Sequence, residues 1–172
     1  MRRMMTRPRA RALLVVAAVA AGGFVTGGHL AGAQESSTGD APPDACTLVT
    51  KAEAEAVLGS SVVVNENPAL CSFTVATRGE FRSLSVGPAP EPLTAENFAT
   101  AMGDYAGSGN ATLRTADAGD EAMATLGELV SQLVARRGET FVTVVLVNGS
   151  GSADERISQM AGLADRALAR MP

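Results

Sequence analysis

The chain has 172 residues, of which 46% are hydrophobic, 19% are charged and only 3% are aromatic, and its net charge is −4. This length suits one ordinary domain with short extensions, and the hydrophobic fraction is too high for a disordered chain. The acidic balance excludes a basic nucleic-acid-binding protein, so nucleic acid is not an expected partner.

The first 33 residues have the pattern of an export signal. Five arginines and no acid precede the apolar run 13–21, and the small-x-small triplet Ala31-Gly32-Ala33 follows. We expect cleavage after Ala33, which leaves a secreted or otherwise extracytoplasmic chain with 9 basic and 18 acidic residues. The alternative is an uncleaved signal anchor over 13–33, which would hold the domain on the outer side of the cytoplasmic membrane.

A polar, proline-containing linker over 34–43 leads into a single domain over 44–172. A short helix is expected after Thr50, because Thr50 and Glu53 have the spacing of a capping box and Gly59 is a natural stop. Three runs with strand character follow at 62–64, 70–77 and 81–87, and Cys71, Phe73 and Val75 of the second run alternate so that they are expected to face one side of a sheet. The short turns between them predict an antiparallel meander.

The second half of the domain again has a helix followed by strands, and it ends in a further helix. Thr94 is expected to cap a helix over 95–105, followed by a strand over 111–116 and an acidic turn over 117–121. Runs 129–135 and 140–147 predict a hairpin, and a terminal helix begins at the capping box of Ser152 and Glu155. The predicted fold class is α+β, with helices packed on an antiparallel sheet of about five to six strands.

Two cysteines, Cys46 and Cys71, lie in the exported part of the chain. An even number of cysteines in an oxidising compartment predicts one structural disulfide. The alternative, a redox-active pair, would be favoured by a C-x-x-C spacing, which this chain lacks.

The chemistry-bearing residue types are few. The only histidine, His29, lies in the signal, so the mature chain has none for a catalytic triad, a Cys–His pair or a histidine metal site. There is no tryptophan, and Tyr105 is the only tyrosine, which leaves little surface for stacking sugars or bases. The sequence therefore predicts a non-enzymatic protein without cofactor or metal. A hydrolase that uses carboxylates alone is the remaining enzymatic alternative.

Spaced motifs in the domain resemble a large family of small exported actinobacterial domains of unknown function, many of them lipoproteins. The resemblance rests on Asp44-x-Cys46-x-Leu48-Val49-Thr50-x-x-Glu53-Ala54, Leu58-Gly59, Cys71-x-Phe73, Gly119-Asp120-Glu121-Ala122 and Leu163-Ala164-x-x-Ala167-Leu168. The plan is also similar to the extracellular sensor domain of mycobacterial receptor serine/threonine kinases. This resemblance implies an extracytoplasmic α+β sandwich, a Cys46–Cys71 disulfide and no established enzyme activity.

Two charged groups are candidate ion sites. The stretch with Asp117, Asp120 and Glu121 could coordinate a hard cation such as calcium, but a solvated turn is favoured, because one loop offers few ligands at irregular spacing. The pair Arg136 and Arg137 could bind an anion, whereas a soluble hairpin tip would use the same residues to blunt a sheet edge.

One apolar group is a candidate ligand site. Phe98, Met102 and Tyr105 follow helical spacing, which is typical of a core face but also suits a pocket between helix and sheet. We therefore expect an exported domain that binds a small ligand or a protein partner. The alternative is a structural or accessory subunit of a cell-envelope complex.

Overall fold

Seven strands form one antiparallel sheet in the computed structural model, which describes residues 44–75, 77, 79, 81–89, 93–109 and 111–172. The strands are β1 (Val62–Asn65), β2 (Cys71–Val75), β3 (Ser83–Pro88), β4 (Thr112–Ala116), β5 (Glu121–Leu126), β6 (Val130–Arg137) and β7 (Thr140–Val147). The helices are α1 (Ala45–Leu48), α2 (Lys51–Leu58), α3 (Phe98–Gly109) and α4 (Ala153–Arg170). The predicted signal (1–33) and linker (34–43) lie outside the described residues.

The sheet joins two meanders. Its strand order is β1-β2-β3-β7-β6-β5-β4, and every neighbouring pair is antiparallel. The first meander is the predicted β1-β2-β3, and the second runs from β4 to β7. They meet where β3 pairs with β7, with Leu84 opposite Leu146 and Val86 opposite Val144. This long-range pairing makes one continuous α+β domain.

The helices lie on both faces of the sheet. Helices α1, α2 and α4 cover one face, where alternate strand residues such as Phe73, Leu84 and Val144 are buried against them. Helix α3 covers part of the other face, where Phe98 and Met102 form a second, smaller buried cluster. The larger core explains the alternation predicted for 71–75, because only one face of β2 meets helices.

Both predicted capping boxes are present. The Thr50 hydroxyl accepts from the Glu53 N–H at the start of α2, and the Ser152 hydroxyl accepts from the Glu155 N–H at the start of α4. Gly59 ends α2 in the left-handed conformation at φ +65°. These local signals therefore placed both helices correctly.

Four predictions need correction. The sheet has seven strands rather than five to six, because β5 was not predicted, and Glu121 begins β5 rather than ending a turn. Helix α1 was also not predicted. Helix α3 begins at Phe98, three residues later than expected, since Thr94 and Asn97 exchange hydrogen bonds around a turn over 95–97.

The predicted disulfide is formed. Cys46 of α1 and Cys71 of β2 are bonded at 2.09 Å, with their Cα atoms 4.9 Å apart. This bond ties the first helix to the first meander and is consistent with an oxidising, extracytoplasmic compartment. Within the described residues, no helix has both the length and the apolar composition needed to cross a bilayer.

An ionic clamp joins α2 to α4. The Glu53 carboxylate accepts two hydrogen bonds from the Arg170 guanidinium, at 2.8 and 2.9 Å, and lies 3.0 Å from Arg166 Nε. Arg170 also donates to the Leu48 carbonyl at 2.7 Å. The hydrogen bond from Arg170 is the main reason that the pKa of Glu53 falls to about 2. Arg166 and Arg170, both near the C-terminal end of α4, therefore bind α4 to α2.

Candidate functional site

Helix α3 covers only part of its face of the sheet. Phe98 and Met102 pack on Val134 of β6 and Phe141 of β7, close to the β6–β7 turn. Further from that turn, the same face carries Gln132 opposite Val145 and Val130 opposite Val147. Val130, Gln132, Val145 and Val147 all retain solvent exposure. An antiparallel sheet tolerates such a bare area, because one of its faces can meet water.

A groove lies at the boundary between the covered and the bare parts. Its volume is about 400 Å³. Tyr105 of α3 forms one wall, while Leu129 and Val130 of the β5–β6 turn form another. Thr125 and Gln132 contribute polar groups, and the exposed Glu128 lies at the rim. We call this cavity the Tyr105 groove. Its mixture of apolar walls and a few polar groups is typical of a site that binds organic groups.

Exposed apolar side chains extend from the groove along the end of the sheet. Phe81 is 62% exposed, Leu129 61% and Val130 43%. Val147 lies beside Val130 in the same row. We call Phe81, Leu129, Val130 and Val147 the apolar strip. Several large apolar side chains clustered in water are a feature of interaction surfaces.

Asn148 holds the two ends of the apolar strip together. Its side-chain amide donates to the Phe81 carbonyl at 2.8 Å, and its backbone N–H donates to the Leu129 carbonyl at 2.7 Å. Asn148 has φ +51°, and it is the one non-glycine residue with positive φ in the described part of the chain. This conformation is uncommon for a residue with a Cβ, and asparagine tolerates it better than most. The backbone at Phe81 and at Leu129 is therefore held in place by the same residue.

The three apolar residues predicted to line a pocket are divided by the structure. Phe98 and Met102 are buried in the core beneath α3, where the Phe98 and Phe141 rings lie 5.8 Å apart. Tyr105 is 50% exposed and lines the groove. The expectation that Tyr105 shares the buried stripe is corrected, because the stripe continues through Ala106 instead.

The predicted anion pair, Arg136 and Arg137, lies at the opposite end of β6 from the groove. Arg136 Nε donates to Glu121 Oε2 across the sheet at 3.0 Å, and Arg137 lies 3.9 Å from Asp165 of α4. The two guanidiniums are therefore directed to different acidic partners and to opposite faces of β6. Both arginines are placed as structural ion pairs rather than as one fork.

The acidic turn is also held by local contacts. Asp120 accepts a hydrogen bond from the Gly138 N–H at 2.7 Å, and Glu121 pairs with Arg136. Asp117 follows the last residue of β4 and takes part in neither of these contacts. In the described residues, no group of three or more His, Cys, Asp or Glu side chains could hold a metal ion.

Sequence reasoning did not single out Phe81, Leu129, Val130 or Asn148. Leu129 and Val130 read as the start of a strand, and Asn148-Gly149 reads as an ordinary loop. Nothing in their spacing shows that α3 stops short of them. Comparison with protein-family models, with curated proteins and with solved structures found no match for this chain.

Proposed function

We propose that this chain is an exported, non-enzymatic domain that binds a protein partner of the cell envelope through the Tyr105 groove and the apolar strip. The observation that carries the proposal is the exposure of Phe81, Leu129 and Val130 beside a groove of about 400 Å³. Burying such side chains against a partner stabilises a complex by removing apolar surface from water.

The width of the exposed surface favours a protein over a small molecule. Val63, which is 59% exposed, lies in the same row as Val147 and Val130, and Thr74 of β2 and the buried Ser83 of β3 stand between Val63 and Val147. Four strand spacings separate Val63 from Val130, a span of about 19 Å. A protein surface can cover this row, whereas a small ligand would fill only the groove at one end.

Export is part of the same proposal. The formed disulfide suits an oxidising compartment, and the signal pattern supplies the route. The resemblance to exported actinobacterial domains agrees with this location but assigns no partner. Arginine-rich residues 1–12 would be removed with the signal, so the partner would meet an acidic protein.

The test replaces apolar strip residues and measures retention on envelope extracts. Leu129→Ser and Phe81→Ser should each weaken retention about tenfold, because each removes one of the two most exposed apolar side chains of the apolar strip. Leu70→Ser is the matched control, because Leu70 is also an exposed apolar residue but lies just before β2, outside the apolar strip. This variant should bind like the unmodified protein. Cross-linking and light scattering after size exclusion should show a hetero-complex that both strip variants lose.

Two outcomes would contradict the proposal. Equal retention of Leu129→Ser and Leu70→Ser would show that the apolar strip does not bind the partner. A rise in melting temperature with low-molecular-weight extract, without any hetero-complex, would assign the Tyr105 groove to a small ligand instead.

A further inference from the structure

The free edge of β4 is a second surface that can bind a protein segment. Strand β4 is the last strand of the sheet, and among the described strands it pairs only with β5. Thr112, Leu113, Arg114 and Thr115 are all exposed. An exposed edge strand presents backbone N–H and C=O groups to which an extended peptide can add as a further strand.

The two edges of the sheet differ in their protection. At β1 the Glu55 carboxylate accepts a hydrogen bond from the Val62 N–H at 3.2 Å, so α2 covers the start of that strand. Strand β4 contains no proline or lysine, and its one charged residue, Arg114, is paired with Asp154 of α4 at 2.9 Å. The devices that usually blunt an edge are therefore weaker at β4.

A groove of about 470 Å³ runs beside this edge, between β4 and α4. Its floor is formed by Ile157, Ala161 and Gly162 of α4, which leave room because two of them are small. A strand added to β4 would direct every second side chain into this groove. The remaining side chains would lie on the opposite face, next to the exposed Leu113.

The charges of the groove indicate which side chains fit. Asp117, Asp154 and Asp165 line it, against the single guanidinium of Arg114. Asp165 also lies 3.9 Å from Arg137 and accepts the Gly119 N–H, whereas Asp117 is exposed at the end of β4. Because Arg114 is paired with Asp154 at 2.9 Å and Arg137 lies near Asp165, Asp117 is the groove carboxylate that remains for a basic side chain of a ligand.

From these features we propose that β4 and the groove beside it bind an extended peptide segment in which basic and apolar residues alternate. The backbone pairs with β4, the basic side chains enter the groove near Asp117, and the apolar side chains pack on Leu113. This surface is separate from the Tyr105 groove, so the proposal does not depend on the function proposed above.

The experiment titrates the full chain with three seven-residue peptides. One alternates arginine with valine, one alternates glutamate with valine, and one has the first peptide's residues in two blocks. Amide exchange and chemical shifts report the site. We expect the alternating arginine peptide to slow exchange in Thr112–Ala116 and to bind at least about tenfold more tightly than the other two.

A charge variant tests the assignment of the groove. Asp117→Asn should weaken the arginine peptide roughly threefold, a value typical of one exposed charge pair. Asp104→Asn, an equally exposed carboxylate on α3, is the matched control and should leave the affinity unchanged. Equal binding of the glutamate peptide would overturn the proposal, as would exchange protection at the apolar strip or none at β4.

Discussion

At the residue scale, Gly119 shows why the Gly119-Asp120-Glu121-Ala122 segment has its composition. Gly119 has φ +59°, and a Cβ there would collide with the Arg136 carbonyl oxygen and meet Leu168 of α4 at 3.0 Å. Its N–H donates to Asp165 at 2.8 Å, and the Asp120 N–H donates to the Arg136 carbonyl at 2.8 Å. The segment therefore docks the turn before β5 onto both the sheet and α4.

Gly119→Ala is expected to lower the free energy of unfolding by roughly 3 kcal/mol, because it combines left-handed strain with a backbone collision. Gly138→Ala is the matched control. Gly138 has nearly the same φ, +57°, but a Cβ there meets nothing within 4 Å. It should cost about 1 kcal/mol from strain alone. Urea denaturation measures both, and equal losses would refute the role of close packing at Gly119.

At the element scale, β5 shows how packing with neighbouring strands overrides local conformational preference. The β5 sequence EAMATL is built of good helix formers, yet it lies between β4 and β6 with Ala122, Ala124 and Thr125 buried. Ala122 and Ala124 are buried in the main core, next to Leu133 and Ala135 of β6 and beneath α4. Small alanine side chains fit in this restricted space. Two partner strands therefore impose the extended conformation that local propensity disfavours.

The clamp between α2 and α4 predicts a pH dependence. The pKa of Glu53 is about 2 in the folded protein and 4.5 is its ordinary value, so its stabilisation is complete above pH 4.5. That stabilisation is lost progressively as the pH falls from 4.5 towards 2. Glu53→Gln should therefore lower the free energy of unfolding by about 2 kcal/mol at pH 7, after allowance for solvent screening.

The pH series also supplies the control for this clamp. The stability difference between the unmodified protein and Glu53→Gln should become small near pH 2, since about half of the Glu53 carboxylate is then protonated in the folded protein. Glu66→Gln, which changes an exposed carboxylate, should match the unmodified protein at every pH. A constant difference between Glu53→Gln and the unmodified protein from pH 7 to pH 2 would contradict the ionic explanation.

At the scale of the whole molecule, the disulfide connects the first helix to a strand that lies further along the chain. The bond between Cys46 and Cys71 closes a loop with a sequence separation of 25, and Cys71 is fully buried. Closing such a loop restricts the unfolded chain and stabilises the fold by roughly 3.5 kcal/mol. The disulfide holds α1, which packs on β3 and α4. Loss of the disulfide would therefore loosen the main core.

Cys46→Ala with Cys71→Ala is expected to lower the free energy of unfolding by roughly 3 kcal/mol without changing the fold. Thermal unfolding followed by circular dichroism measures the loss. A reductant should lower the stability of the unmodified protein by a similar amount and leave the double variant unchanged. If the reductant affects both proteins equally, the loss does not come from this bond.

Features that depend on near neighbours in the chain could be predicted from the residues alone. The capping boxes at Thr50 and Ser152, the stop at Gly59 and the alternation in 71–75 each need only a few adjacent residues, and the structure confirms them. The disulfide followed from the count of two cysteines. The α+β class followed from the order of these elements.

Which surfaces remain exposed depends on how distant parts of the chain pack together. Phe98 and Tyr105 lie on the same helix, but one is buried and the other lines a groove, because α3 covers only part of the sheet. Whether Leu129 is core or surface depends on where α3 ends, and whether β4 is an edge depends on the pairing of β3 with β7. Both are contacts between residues far apart in the chain, which local pattern does not specify.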